Sequence, residues 1–543
     1  MNLSFAISSF AQTPAETGPA AGARSRILLV LPFENRSAQP SLEWVREASA
    51  EILSSRFASA GFAPMSRADR MYALDHLGLP QGFHPSRASS LKLAETLDAD
   101  SIIVGSYLTD GSGIVAEARL LDVPHLRMGE PVTARGEMSN MISVFDSLAW
   151  KLTRQLDPNF KVSEETFVAA DSSVRLAAFE QYIRGITEPD QTERLRHLNQ
   201  SVLLSPEFSP AWMALGREEY AGQQYELAAA AFAKVGANNA DGLEAGFFRG
   251  LSLLFSGDYP HAEEAFTGVS RVLPLAAVLN NQGVAVNRQG HDGSALFRAA
   301  VEADPNEADY HFNLAVSLKR HGGFDAEALT ELAQCLRLRP NDVEALEVQK
   351  EWTKPAQAKA PQVRPAMAAG EPDNLGKPEE PAKAKADPLE RIQRSFDAVA
   401  FHQAALMLEQ VDAARLQALG PQERAQKLAA QAHDYFQRGL LLEAERLYQD
   451  AMAADGNVAA VHAGLAEIRE RTGDDKAARK EAVASLELLP SVDAYLVLGR
   501  LDFAAGHMDQ VTYETGEALK IDPKSKAAQA LWQQVQAKQA PKK

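Results

Sequence analysis

Asp98 and Asp100 stand two residues apart, just ahead of an apolar run. A pair of carboxylates can divide general acid and general base work, but this pair sits where a turn would lead into a strand, a setting that suits aspartate without any chemistry. Gly111 and Gly113 fall in Asp110-Gly-Ser-Gly113 between two strand-like runs, so they read as a hairpin turn and not as a phosphate cradle. The 12 histidines are scattered, and the single cysteine, Cys335, supports neither a disulfide framework nor a Cys-rich zinc site. The chain contains no Gly-x-x-x-x-Gly-Lys, no Gly-x-Gly-x-x-Gly after a strand, no His-Glu-x-x-His and no Gly-x-Ser-x-Gly. An enzyme is not expected, and neither a cofactor nor a metal is called for. The side chains left with something to do are asparagines, arginines and aromatics, which bind without reacting, and the elements that carry them decide what they can bind.

Length and charge bound those elements. The chain has 543 residues, is 45% hydrophobic and carries a formal net charge of −17. That is room for several domains with sizeable cores. An acidic chain lacks the concentrated basic surface that phosphate neutralisation needs, so nucleic acid is not an expected partner. No run of about 18 apolar residues could form a membrane-spanning helix. Residues 1–25 open with MNLSFAISSFAQ and continue through small residues and Pro. They read as a disordered leader or as the remnant of an export signal, the latter placing the chain in the periplasm or cell envelope and the former in the cytoplasm.

The clearest pattern lies between Phe208 and Pro274. Gly216 to Gly250, Ala228 to Ala262 and Phe232 to Phe266 are each 34 residues apart, with Trp212 and Leu215 ahead and Pro274 behind. A 34-residue period of aromatic, Leu-Gly, Ala-x-x-x-Phe and Pro resembles the tetratricopeptide (TPR) repeat, in which two antiparallel helices pack into a solenoid. Small residues allow close helix approach, Phe232 and Phe266 fill the seam, and Pro ends the second helix because it has no N–H to donate. The register extends over residues 175–350 as about five units. Cys335 falls on the second helix of the last, where a small packing residue is expected. Residues 353–386 are Pro-, Ala- and Lys-rich and read as a flexible linker. Residues 387–540 give a second array of three to four units, beginning with a helical stretch over 387–419 and closing on a polar helix.

Residues 26–158 follow a different rule. Arg26–Phe33, Asp100–Thr109 and Ile114–Val123 read as strands, Pro131–Met138 as a further hairpin strand, and Ser41–Ala60, Ser66–Leu77, Ser86–Leu97 and Ser143–Leu156 as helices. Leu31-Pro32-Phe33-Glu34-Asn35-Arg36-Ser37, then Leu91, Ala94, Leu97, Ala99 and Asp100, then Ile103-Val104-Gly105-Ser106-Tyr107, then Ala118-Arg119-Leu120-Leu121-Asp122 resemble the TolB amino-terminal-like domain, related to the FlgO and CsgG envelope proteins. The resemblance implies a non-enzymatic α/β domain of the bacterial envelope and carries no catalytic residues. The chain departs from the pattern in the helix after Phe33, where Trp44–Glu51 stands in place of the usual Asp-Gly pair. The expected fold class is therefore an α/β N-terminal domain followed by all-α TPR solenoids, predominantly α.

In TPR proteins, positions 2, 5, 9, 12 and 13 of each unit face the concave groove. By that resemblance the candidate partner-binding residues are Met213, Arg217, Tyr220, Phe247, Leu251, Asn280, Asn287, Arg288, Phe312, Lys319 and Arg320, with Asn313 beside them. Phe436, His433, Arg500 and Phe503 hold the same places in the second array. Amides can bond an extended peptide backbone, and Arg or Lys can meet a carboxylate. The family's full carboxylate clamp is absent, because no Lys at position 5 accompanies an Asn at position 9. The expectation is a non-catalytic protein–protein interaction scaffold whose partners are proteins or peptide segments. Two alternatives stand beside it: an assembly or regulatory subunit docked through the α/β domain, and an accessory protein binding a glycan or lipid.

Overall fold

A computed structural model describes residues 27–37, 39–80, 86–169, 174–236, 239, 241–322, 325–354, 388–396 and 398–539. The leader, the 355–386 part of the linker and the last four residues lie outside them. The chain divides into two compact units, one of residues up to Thr187 together with those from Arg415 onward, the other from Glu188 to Ala414.

In the first unit, β1 (Ile27–Val30) pairs in parallel with β3 (Ala63–Pro64) and β4 (Ser101–Asp110), and β2 (Glu34–Asn35) continues along β4. β4 turns back into β5 (Gly113–Asp122) with Asp110 opposite Gly113, and β5 then pairs with β6 (Arg127–Met128) and β7 (Val132–Glu137). Gly111 takes φ +61° in that turn, a conformation glycine adopts without penalty. Phe33 is fully buried, with its ring over Gly105 and edge-on to Phe145 at 5.7 Å. A side chain at residue 105 would collide with that ring, so Leu-Pro-Phe and Gly105 are one packing device. α1 (Val45–Ser59), α2 (Arg67–His76), α3 (Arg87–Thr96) and α4 (Met141–Leu156) complete this part, with Ser66 and Asp69 forming a capping box at the start of α2. The buried Arg56–Asp146 pair joins α1 to α4 at 2.8 Å. The sequence pattern marks β1, β4, β5, β7 and the four helices. It misses β2, β3 and β6, whose two residues each are too few to show alternation.

α5 (Glu164–Ala169) and α6 (Leu176–Thr187) also belong to this unit. The sequence reading starts the first array at 175 and pairs α6 with the next helix. The turn between them is Glu188-Pro189-Asp190, and within the first unit Tyr182 of α6 donates to Glu51 of α1 at 3.4 Å.

The second unit is built of helix pairs. After α7 (Gln191–Leu204) come α8 (Ser209–Ala221) with α9 (Tyr225–Phe232), α10 (Gly242–Ser256) with α11 (Tyr259–Ser270), α12 (Ala276–Arg288) with α13 (Ser294–Ala303), and α14 (Ala308–His321) with α15 (Asp325–Leu338). α16 (Val343–Trp352) ends the array. In three successive pairs one phenyl ring covers one glycine: Phe232 on Gly216, Phe266 on Gly250 and Phe297 on Gly283. A Cβ at Gly250 would lie 2.6 Å from the Phe266 ring. This contact is why the 34-residue period is a structural unit and not a coincidence of composition. Cys335 is buried against Phe312, Ala345 and Val348, and burial pushes its thiol up to about 11.

The stretch 387–419, expected to be helical throughout, is not. Residues 388–396 form neither helix nor strand, and α17 (Ala398–Gln417) begins only after them. The backbone groups that a helix would have used are taken by side chains of the array.

The first unit resumes in three helix pairs, α18 (Pro421–Gln437) with α19 (Leu441–Ala454), α20 (Ala459–Arg471) with α21 (Asp475–Leu488), and α22 (Val492–Ala505) with α23 (Met508–Ile521), closed by α24 (Lys526–Gln539). α5 packs on this array through charge. Glu445 is fully buried, pairs with Arg469 and accepts from the Ser163 N–H at 3.3 Å. Arg469 also donates to Ser163 Oγ at 2.6 Å and to Thr166 at 3.1 Å. The fold as a whole is a mixed α/β portion with helix-pair arrays, predominantly α. No described helix is long and apolar enough to cross a membrane.

Candidate functional site

The site lies in the second unit, on the face made by α10, α12 and α14. Each of these is the first helix of its pair, so residues at the same register repeat along one wall. Residues 388–396 run along that wall.

Two asparagines read the backbone of this segment. Asn313 on α14 accepts from the Arg391 N–H at 2.6 Å and donates to the Arg391 carbonyl at 2.7 Å. Asn281 on α12 does the same for Gln393, accepting at 2.9 Å and donating at 2.8 Å. Asn280 adds a second donor to the Arg391 carbonyl at 3.1 Å and accepts from Asn313 at 2.8 Å. Residues 391 and 393 presenting both backbone groups to one wall is the alternation of an extended chain. Asn280, Asn281 and Asn313 are buried, where an unbonded amide would be costly, so the wall and the segment satisfy each other.

Two charged side chains of the segment enter opposite environments. The Glu390 carboxylate is fully buried, pairs with Arg320 and accepts from Asn287 at 3.1 Å. Arg288 donates to the Glu390 carbonyl at 3.2 Å, and Arg320 to the Pro388 carbonyl at 3.1 Å. The Asn287 amide is itself fixed by Gly293 at 2.8 Å and Ser317 at 3.1 Å. Arg391 turns the other way, bonding Asp342 through both terminal nitrogens at 2.6 and 2.8 Å, Asp309 at 2.9 Å and Glu344 at 3.0 Å. Its guanidinium lies 3.8 Å over the Phe312 ring. Burial alone would make Arg391 easier to deprotonate, but its bonds to Asp342 and Asp309 outweigh that and raise its pKa. In return, Arg391 holds the Asp342 carboxyl below its ordinary value.

Aromatic rings hold the other end. Phe396 lies 5.6 Å from Phe247, 5.9 Å from Phe248 and 4.2 Å from Phe401, while Arg394 sits 4.9 Å over Phe255. Tyr220 packs edge-on to Phe248 at 5.5 Å and so supports this floor. Beside the segment an open cavity of about 610 Å³ is lined by Leu254, Tyr259, Arg288, Leu389 and neighbouring residues.

Of the candidate residues named from register, Asn280, Asn287, Arg288, Phe312, Asn313 and Arg320 all touch residues 388–391, and Phe247 touches Phe396. Of the others, Tyr220 supports the aromatic floor and Leu251 belongs to the apolar cluster on which Ile392 and Phe396 pack. Met213 and Leu251 are buried in the array's core. Arg217 pairs with Glu244 at 2.5 Å, and Lys319 pairs with Asp325 at 2.8 Å beside Trp352. Register alone does not find Asn281, Phe248, Asp309, Asp342 or Glu344. A run of two asparagines at 280–281 and the acidic residues at the starts of α14 and α16 were the available signals. In the first unit, Arg500 pairs with Glu470 at 2.5 Å, Phe436 lies under Arg471 at 5.7 Å and Phe503 under Lys538 at 4.2 Å, while His433 stands 4.0 Å from Glu467. Among the described residues, no group of three His, Cys, Asp or Glu side chains could hold a metal ion.

No family model matches the chain, and no curated protein does. Solved structures similar to parts of it include YrrB, described as a TPR protein with an unusual peptide-binding site, at 15% identity over 38% of this chain and 99% of that one, TM-score 0.29. MamA from Desulfovibrio magneticus RS-1 is similar at 22% identity over 29% of this chain and 92% of that one, TM-score 0.27. The C-terminal domain of LpoB from Salmonella enterica is similar at 19% identity over 21% and 84%, TM-score 0.18.

Proposed function

We propose that this chain is a non-catalytic interaction scaffold whose array between Glu188 and Trp352 receives an extended peptide segment. One observation carries the reading: Asn313 and Asn281 each hold both backbone groups of alternate residues in an extended segment. Such bonds are indifferent to the side chain of the bound residue, so they suit a receptor for chains in general. Specificity then falls to the charged and aromatic pockets on either side. Placement in the bacterial cell envelope is the further part of this proposal. Its support is the resemblance over Leu31–Ser37 and Ile103–Asp122, together with the composition of the leader.

The test is a selection of displayed random decapeptides on the full chain, beside a variant carrying Asn281→Ala and Asn313→Ala. Peptides enriched on the native chain and lost on the variant support the reading. Equal enrichment on both removes the groove from it.

A further inference from the structure

We propose that residues 388–396 are a tethered stand-in for the groove's ligand, and that the groove selects partner peptides bearing Glu-Arg, an apolar residue next, and an aromatic four residues beyond it. The native segment reads Glu390-Arg391-Ile392-Gln393-Arg394-Ser395-Phe396. This deepens the scaffold reading and rests on it.

Each position of the pattern has its own receptor. Glu390 enters a pocket with two guanidinium groups, Arg288 and Arg320, and the oriented Asn287 amide. Arg391 enters one with three carboxylates over a phenyl ring. Exchanging the two charges would bring like charges together in both pockets, so the order acidic-then-basic is read as well as the net charge. Ile392 packs against the apolar cluster around Phe247, and Phe396 lies among Phe247, Phe248 and Phe401. Gln393 is held by its backbone, which leaves its side chain unspecified.

The same contacts make the segment an occupant and not a part of the fold. The helix pairs are closed by their own glycine–phenyl seams, and Ile392 and Phe396 pack on the apolar cluster beside them. Leu389 remains 62% exposed, and an open cavity flanks the segment. An emptied groove would leave Arg288 and Arg320 without Glu390, and the buried Asp342 with Arg339 in place of the Arg391 fork, a costly arrangement for the less exposed of these groups. The groove therefore exchanges one ligand for another of the same charge order more readily than it empties. A segment joined in cis acts at an effective concentration of about millimolar when its linker can span the sites. Residues 353–387 supply the connection, so a free peptide must outcompete that concentration.

The experiment uses full-length protein and a fluorescent synthetic peptide of residues 387–396, with affinity read by anisotropy. Glu390→Ala with Arg391→Ala weakens the tethered copy and leaves the groove intact. The free peptide is expected to bind this variant at least about tenfold tighter than the native chain. Adding Asn281→Ala and Asn313→Ala should abolish that binding. A peptide with Glu and Arg exchanged should bind at least about tenfold more weakly than the native one. A second variant that alters neither groove nor segment, with about forty Gly/Ser residues inserted after Gly370, should also tighten binding by lowering the effective concentration. Equal affinity for the native chain and both tether variants would overturn the proposal, as would equal binding of the exchanged peptide. So would a native dimer that the tether substitutions dissociate, since the segment would then fill a neighbour's groove. The broader scaffold reading fails differently, through the absence of any groove-dependent peptide when the display selection is run on the Glu390→Ala, Arg391→Ala chain, whose groove the segment no longer blocks.

Discussion

Asn313 holds Arg391 by both of its backbone groups, at 2.6 and 2.7 Å, across 78 residues of chain. The bond pair forms only if residue 391 is extended, so one side chain of the array decides the conformation of a distant segment. Asn313→Ala removes both bonds; the Arg391 carbonyl keeps Asn280 at 3.1 Å, but the Arg391 N–H is left unpaired, at about 1–3 kcal/mol if it stays buried. The segment has an alternative, which is to leave the groove for water. The expected outcome is faster amide exchange at Arg391 and Gln393 by about tenfold or more, with exchange in α10 and α11 unchanged. Unchanged exchange at Arg391 would mean that the amide wall does not hold the segment.

The repeat seam makes a separate prediction. Gly250→Ala improves helix propensity by about 1 kcal/mol, but it places a methyl 2.6 Å from the fully buried Phe266 ring. Overpacking of a tight core costs about 1–3 kcal/mol, and the ring lies between two helices with little room to retreat. The net effect should be destabilisation of the Glu188–Trp352 array, read as a lower denaturant midpoint. A rise in the midpoint would show that the seam can open without cost.

These two sites also mark what the sequence could and could not say. Gly250 and Phe266 were legible because the contact is local and stands 34 residues after its counterpart at Gly216 and Phe232. Asn280, Asn287, Arg288 and Arg320 were reachable through the same register. Asp342 and Glu344 were not, because they lie at the start of α16, beyond the last first-helix of the array. Least legible was the segment itself. Leu389 to Phe396 has helix-compatible composition, and its extended state depends on Asn281 and Asn313, which a local reading cannot connect to it.

Acidic pairs in the first unit give the chain a pH dependence. Burial, then the nearby Asp502, push Glu514 up to about 8 from an ordinary 4.5. Asp502 moves the other way: burial opposes its ionisation, but bonds from Arg479, His507 and Glu514 outweigh that and lower its pKa. Because folding raises the pKa of Glu514, its contribution is complete below about pH 4.5 and is lost as pH rises through about 8. Asp502 contributes in the opposite sense, losing its share only as pH falls below the ordinary aspartate range. Glu514→Gln keeps a donor for Asp502 and has no proton to lose. The native chain should lose thermal stability between about pH 5 and 8, and the variant should lose less. Glu219 and Glu467, both pushed up to about 7 by burial, contribute to the slope that remains, as do Glu51, Asp241 and Asp450, whose carboxyls burial also raises. An identical slope in chain and variant would remove Glu514 from this account.

Arg391 separates charge from shape in the groove. Its guanidinium forks onto Asp342, reaches Asp309 and Glu344, and lies 3.8 Å over Phe312. Arg391→Lys keeps the positive charge but loses the fork and the planar stack, because an ammonium is a compact point donor. Arg391→Met keeps a long side chain over Phe312 but leaves the carboxylates without this cation. Arg339 still reaches Asp309 and Asp342, but Glu344 loses its partner in the segment. If neutralising the carboxylates dominates, release of the segment should rank native below Lys and Lys below Met. The loss of a bidentate charged bond and a desolvated ring contact should raise the released fraction about ten- to a hundredfold for Lys. The fraction can be read as the rate of tryptic cleavage after Arg394, a residue present in all three chains and held only while the segment stays in the groove. A Met variant as protected as the native chain would show that contact with Phe312, and not the charge of Arg391, holds this position.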